Sequence, residues 1–213
     1  SSSPGTPYDN LVVADVTVTV QDDEPANVVV EPTARTVTEG STTNFTVRLS
    51  SEPVANVVVP LSSSDGTECS VPGSATLTSL NWEAGVLVTV TAVDDDVADG
   101  TQTCTVLTGN SSSPGTPYDN LVVADVTVSV EDDDTAGIVV QPTTLTVGEP
   151  NGTASFAIRL TSRPTGDVSI PLSSSDGTEC AVPGSATLTS STWETGVNVT
   201  VTAVDDYVDD GTQ

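Results

Sequence analysis

The chain repeats itself, and the repeating unit is as long as a whole domain. SSSPGTPYDNLVVADVTVTV at residues 1–20 returns as SSSPGTPYDNLVVADVTVSV at 111–130, an offset of 110. LSSSDGTEC at 61–69 returns at 172–180, an offset of 111, and Phe45, Arg48 and Trp82 meet Phe156, Arg159 and Trp193 at that same offset. The extra residue falls at Glu149-Pro150-Asn151-Gly152, opposite Glu39-Gly40-Ser41. That is a turn, where insertion costs little. A period of this length is too long for a solenoid turn and matches one domain.

The phase of the repeat is set by two acidic stretches, Gln21-Asp22-Asp23-Glu24-Pro25 and Glu131-Asp132-Asp133-Asp134-Thr135, read as interdomain joints. Residues 1–26 are then the C-terminal strand and acidic joint of a preceding repeat. Residues 27–134 form a complete sandwich, and 135–213 a second one lacking its C-terminal strands. The first copy continues from Gly100-Thr101-Gln102 with TCTVLTGN, where the second stops at Gly211-Thr212-Gln213. Residue 1 is not methionine, and the chain is expected to be an internal piece of something longer. It reads as a window cut from a tandem array, or as a subunit whose first strand completes the last domain of the next.

Within the repeat, apolar residues alternate with polar ones. Phe45, Val47 and Leu49 share one face, as do Val86, Val88, Val90 and Ala92, and Val126, Val128 and Val130. A period of two marks half-buried strands, and valine and threonine suit that surface. Glycine, proline, serine and aspartate punctuate these segments at turn spacing, and no helical periodicity survives. The strands predicted for the complete repeat are 27–31, 34–38, 42–50, 55–63, 74–79, 85–94, 101–108 and 121–130. The fold class is all-β: tandem Ig-like antiparallel β-sandwiches arranged end to end.

Composition removes most chemistry. Thirty acidic residues face four arginines, for a formal charge of −26, and there is no lysine, histidine or methionine. A lysine Schiff base, a histidine general base and a P-loop lysine are therefore impossible. Nucleic acid is not expected as a partner, because it demands a basic footprint. No run of 18 apolar residues provides a membrane span. Serines abound, but the only bases near them are carboxylates at turns, so the chain is not expected to be an enzyme.

The order of motifs resembles a known family. Val37-Thr38-Glu39-Gly40 is followed by Phe45-Thr46-Val47-Arg48-Leu49-Ser50 and Ser64-Asp65-Gly66-Thr67. Then come Ala75-Thr76-Leu77-Thr78, Val88 to Asp96 (VTVTAVDDD) and the closing Glu131-Asp132-Asp133-Asp134. This is similar to the Calx-β domain, in the variant found as tandem repeats of bacterial extracellular proteins. The resemblance implies Ca2+ held by acidic loops and the C-terminal linker at one pole of the sandwich. By position the ligands would come from Glu39, Asp65, Asp94, Asp95, Asp96, Asp99, Asp132, Asp133 and Asp134. In the second repeat they would come from Glu149, Asp176, Asp205, Asp206, Asp209 and Asp210, with Tyr207 replacing the third aspartate of the run. Physics is consistent with this: adjacent carboxylates repel, and a hard divalent ion taking roughly 6–8 oxygens removes the repulsion. Solvated acidic turns are the alternative.

Three cysteines occur, and Cys69 and Cys180 are repeat equivalents. One disulfide per repeat predicts Cys69 bonded to Cys104 and Cys180 unpaired here; three buried thiols are the alternative. Disulfides point to an oxidising, extracellular or cell-surface setting. Asn44, Asn110, Asn151 and Asn198 fit the glycan-acceptor pattern, so glycans are conceivable partners in a host that attaches them.

The functional expectation is an extracellular structural or adhesive tandem-repeat protein, a stalk, adhesin or fibre, with calcium-stiffened joints. The alternative is a filament or sheath subunit polymerised head to tail by strand complementation. In that case Leu11, Val13, Val16, Val18 and Val20 would be the donated face, and other copies of the chain the partners.

Overall fold

A computed structural model describes residues 2–149, 151–206, 208 and 211. Among them every regular element is a strand. In the first repeat these are β1 (Val28–Glu31), β2 (Ala34–Thr38), β3 (Thr42–Leu49), β4 (Val57–Ser63), β5 (Cys69–Ser70), β6 (Ser74–Leu77), β7 (Val86–Ala92), β8 (Gln102–Thr108) and β9 (Val126–Glu131). Two sheets result, with strand orders β1-β3-β7-β5 and β2-β9-β8-β4-β6. Their inward faces are the alternating residues read from the sequence. Phe45, Val47 and Leu49 of β3 are buried, as are Val88, Val90 and Ala92 of β7 and Val126, Val128 and Val130 of β9. Burying each such valine or leucine side chain contributes about 1.5–3 kcal/mol, which a core this poor in aromatics needs.

Three features depart from the strands predicted. β2 and β9 run parallel, with Ala34 opposite Thr127 and Thr38 opposite Glu131, in an otherwise antiparallel fold. The chain leaves the first sheet at Pro32, which has no N–H to give a ladder, and enters the second beside β9. β5 is a two-residue strand that no periodicity could announce. The last strand begins at Val126 rather than at 121. Asp125 instead turns its carboxylate to Thr108, accepting from the backbone N at 2.7 Å and from Oγ1 at 3.0 Å, so the ladder cannot extend through it.

The segment before β9 is nevertheless ordered by long-range contacts. Ser112 exchanges two backbone hydrogen bonds with Val58, at 3.0 and 2.8 Å. The Tyr118 hydroxyl accepts from the Ser51 backbone N at 2.9 Å and donates to the Ser51 carbonyl at 2.7 Å. Near the same end of β3, Gly85 (φ +82°) lies so close that a Cβ there would stand 2.7 Å from the Val47 carbonyl oxygen; Gly196 repeats this against Ile158. Cys69 and Cys104 are bonded, with Cα atoms 6.1 Å apart, and tie β5 in one sheet to β8 in the other.

The second repeat carries β10 (Ile138–Gln141), β11 (Thr153–Leu160), β12 (Val168–Pro171), β13 (Cys180–Ala181), β14 (Ser185–Leu188) and β15 (Val197–Ala203). These form a β10-β11-β15-β13 sheet and a β12-β14 pair. Among the described residues nothing stands in the place of β8 or β9, and residues 144–148, the counterpart of β2, form no strand. Its core is correspondingly small: Ile158, Leu160, Ala186, Leu188 and Val199, with Phe156 only partly covered. Cys180 has no disulfide partner and lies half-buried, its Sγ 3.2 Å from Ser174 Oγ.

Candidate metal centre

The acidic pole of the first repeat is assembled by backbone bonds between neighbouring loops. Glu39 follows β2 in a tight turn closed by Ser41 N donating to Thr38 O at 3.1 Å, and its own N donates to Glu131 O at 3.0 Å. Gly40 takes a positive φ of 67° there, where a side chain would be strained. Ala92 N donates to Ser41 O at 2.9 Å, which sets the run after β7 against this turn. Val93 N donates to Glu68 O at 2.9 Å and brings in the loop before β5. The linker that follows β9 completes the set: Asp132 accepts from Gly100 N at 2.6 Å and from Asp134 N at 2.8 Å.

The result is a cluster of carboxylates around a buried one. Oxygens of Glu39, Asp94 and Asp133 lie within 4.8 Å of one another, as do those of Glu39, Asp95 and Asp134. Glu39 is buried, and its Oε2 has no hydrogen-bond partner among the described residues. Its carboxyl is pushed up to about 7, chiefly by burial and then by the charges of Asp95, Asp132 and Asp99. Burial also raises Asp134, with repulsion from Asp132, Asp133, Asp96 and Asp95 adding to it. Glu68 is raised by burial and then by Asp99, Asp65 and Asp95. Asp65 itself is turned away: Thr67 Oγ1 at 2.6 Å and Thr67 N at 2.9 Å donate to its Oδ1 and hold it below the usual range.

One cationic side chain reaches this pole from the second repeat. Arg163 N donates to the Asp96 carbonyl at 2.6 Å, and Arg163 Nη2 stands 3.8 Å from Asp95 Oδ2. Its counterpart in the first repeat is Glu52, so the two joints differ in charge at this position.

An oxygen-only donor set, a buried carboxylate lacking a partner and mutual spacings within 4.8 Å fit a hard divalent cation. Two ligands on opposite sides of Ca2+, each at roughly 2.4 Å, stand about that far apart. Glu39, Asp94, Asp95, Asp133 and Asp134 would hold the ion. Asp96 and Asp99 contribute charge to the cluster, and Asp132 shapes the linker. Glu68 is the residue sequence reasoning missed. Its signal was adjacency to Cys69, but recognising it requires the two-residue β5 and its pairing with Ala92.

The second repeat does not gather its acids in this way. Glu149 is exposed where Glu39 is buried. Asp176 repeats the threonine-bound turn, with Thr178 Oγ1 at 2.6 Å and N at 3.0 Å. Asp206 accepts from Val208 N at 2.8 Å. Among the described residues Glu149, Asp176, Asp205 and Asp206 join no three-oxygen group; Asp209 and Asp210 lie outside the described residues. Asp22, Asp23 and Glu24 do approach one another, fully exposed, and Glu24 is raised by its hydrogen bond to Asp22 and by that carboxylate's charge.

The model of the Calx-β domain matches residues 21–134 and again 131–213. The chain belongs to the Calx-β domain family. Its two matches are tandem Calx-β repeats, and together they span both sandwiches. No curated protein matches the chain. Among solved structures it is similar to an apo-form Calx CBD1 domain, at 24% identity and a TM-score of 0.39, over 52% of this chain and 100% of that one. It is also similar to domains 4 and 5 of the S-layer protein SbsC, at 21% identity and 0.30, over 54% of this chain and 49% of that one. A chaperone–tip adhesin complex of CFA/I fimbriae is similar at 11% identity and 0.38, over 88% and 96%. Among the described residues no helix is long and apolar enough to cross a membrane.

Proposed function

We propose that the chain is a load-carrying stretch of an extracellular tandem-repeat protein, a stalk, adhesin or fibre, whose joints are stiffened by Ca2+. The observation that carries this reading is Glu39: a buried carboxylate with an unpartnered oxygen, ringed by the linker acids Asp133 and Asp134. When bound, the cation supplies the positive charge that the cluster lacks. Glu39 anchors the turn after β2, while Asp133 and Asp134 lie on the linker leading to β10. A shared counter-charge therefore fixes the linker to the body of the first sandwich and narrows the range of interdomain angles. The Cys69–Cys104 bond supports an oxidising location outside the cytosol.

The test combines calorimetric titration with Ca2+ and small-angle scattering in chelator and in Ca2+. Binding, together with a narrower distribution of interdomain distances on addition of the ion, is the expected outcome. Glu39→Gln should weaken binding without unfolding either sandwich. Scattering profiles and heats that do not respond to Ca2+ would refute the proposal in favour of solvated acidic turns.

A further inference from the structure

The joint between the repeats brings a cation of the chain's own to the edge of the acidic cluster. Arg163 lies in the loop between β11 and β12, and its backbone N donates to the Asp96 carbonyl at 2.6 Å. Its Nη2 stands 3.8 Å from Asp95 Oδ2. The other oxygen of that carboxylate, Oδ1, accepts from Val97 N at 2.6 Å, which fixes it in the run after β7. Asp95 is also one of the three residues, with Glu39 and Asp134, whose oxygens lie within 4.8 Å of one another. Glu39 marks that cluster as built for a cation, being 6% exposed with Oε2 unpartnered among the described residues. One carboxylate therefore answers to two positive charges, one carried by the neighbouring repeat and one supplied from solution.

We propose that Arg163 is a tethered stand-in for the divalent ion and sets the affinity of the site. Without the ion its guanidinium neutralises Asp95 and holds the joint; on binding, the ion takes Asp95 over and releases the side chain. This rests on the metal reading above. An ion roughly 2.4 Å from either Asp95 oxygen would lie within about 9 Å of Nη2, where it and the guanidinium repel. The paired side chains are 42% and 35% exposed, so the pair is weak and the guanidinium turns to water at small cost. The bond from Arg163 N to Asp96 is independent of the side chain, so the loop stays docked through the exchange. Because both charges draw on the same carboxylate, each weakens the other's hold by the same factor.

The device belongs to this joint and not to the repeat as such. SSEPVAN at 50–56 is matched by TSRPTGD at 161–167, where Ser51 and Pro53 recur as Ser162 and Pro164. Between them Glu52 gives way to Arg163, a reversal of charge at a position flanked by identical residues. A joint with the acidic residue at that position has no such stand-in and depends wholly on the external ion.

The experiment is calorimetric titration of the full chain with Ca2+, together with small-angle scattering in chelator and in Ca2+, for the wild type, Arg163→Gln, Arg163→Lys and Arg48→Gln. Arg48→Gln makes the same change in net charge, but Arg48 lies on β3 six residues beyond Thr42, roughly 20 Å from the acidic pole. Arg163→Gln should bind Ca2+ about fivefold more tightly. Arg163→Lys, which keeps the charge, and Arg48→Gln should both bind as the wild type does. In chelator the interdomain distances of Arg163→Gln should spread more widely than those of the wild type, and in Ca2+ the two should coincide. Equal affinities for Arg163→Gln and the wild type overturn the exchange and leave the metal reading standing. Weaker binding by Arg163→Gln does the same, because Arg163 would then support the bound state. An equal gain in Arg48→Gln overturns it as well, since net charge alone would account for the effect. Identical scattering of Arg163→Gln and the wild type in chelator overturns the claim that Arg163 holds the joint. If no chain binds Ca2+, the metal reading fails and the exchange with it.

Discussion

Residues 2–18 and 112–128 have the same sequence and different structures. In the first copy Val16 and Val18 are 87% and 76% exposed; in the second, Val126 and Val128 are 0% exposed and sit in a five-stranded sheet. Tyr8 is largely exposed, whereas Tyr118 is buried and holds Ser51 through its hydroxyl. The turns within the two copies are nevertheless alike. Thr6 N donates to Ser3 O and Thr116 N to Ser113 O, each at 3.1 Å. Local sequence therefore dictates the turn, while the strand exists only where β2 and β8 flank it. Strand propensity describes fitness for a pleated, half-buried surface and does not create one.

The comparison can be broken most forcefully by charge. Val128→Asp buries an unpaired carboxylate among valines and is expected to cost at least about 4 kcal/mol, unfolding the first repeat. Val18→Asp, the same substitution in the same sequence, should leave the melting of monomeric chain unchanged. Calorimetry of both variants in dilute solution decides it, and equal effects would mean that residues 11–20 are buried in the monomer.

The next effect separates the two sandwiches. Cys104→Ala opens a loop spanning 35 residues and should destabilise the first repeat by roughly 3–4 kcal/mol in the chain-entropy model. The second repeat, whose Cys180 is unpaired, should melt as before. Two calorimetric transitions, of which only one moves, are the expected record.

A third test compares Glu39 with Glu149 by pH, in chelator. Glu39 has a folded value of about 7 against its usual 4.5, so the folded state holds its proton more tightly. The stability it contributes is complete below pH 4.5, declines as pH rises through 7, and by then amounts to a loss of about 3 kcal/mol. Glu68 and Asp134 shift in the same direction. The first transition should therefore fall in temperature from pH 4.5 to 8, and Glu39→Gln should flatten much of that slope. Glu149→Gln should leave the melting temperature unmoved, because the Glu149 side chain is exposed.

The smallest effect concerns the joint. Arg163→Gln removes a partly exposed ion pair worth less than about 1 kcal/mol. Melting should not move, whereas the interdomain distance distribution in chelator should broaden in scattering.

Much of the fold was legible because it depends on periodicity and repetition. The inward faces of β3, β7 and β9 follow from period two, and the pairing of Cys69 with Cys104 follows from one bridge per repeat. The acids from Asp94 to Asp96 and from Asp132 to Asp134 stand out as runs. What escaped depends on distance through space. Glu68 looks like any loop acid until β5 pairs with the end of β7. Asp65 looks like a free carboxylate until the fold shows Thr67 donating twice to its Oδ1. Arg163 reads as a surface arginine until the joint brings it to Asp95. The parallel course of β2 and β9 was hidden because alternation is blind to direction. The absence of strand at 144–147, despite Thr144-Leu145-Thr146-Val147, again reflects a missing neighbour rather than poor local sequence.

That parallel pair also determines how the first repeat responds to pulling. Tension along a tandem array reaches β1 first and, once β1 parts from β3, enters through the N-terminal side of β2 and leaves through the C-terminal side of β9. In a parallel pair those are opposite ends of one ladder, running from Ala34–Thr127 to Thr38–Glu131. The two strands must slide past each other, so all five residue pairs share the load at once instead of parting one by one. The ladder is a shear clamp, and the disulfide behind it withholds from extension the segment between its cysteines, a sequence separation of 35, roughly 120 Å of contour at about 3.4 Å per residue.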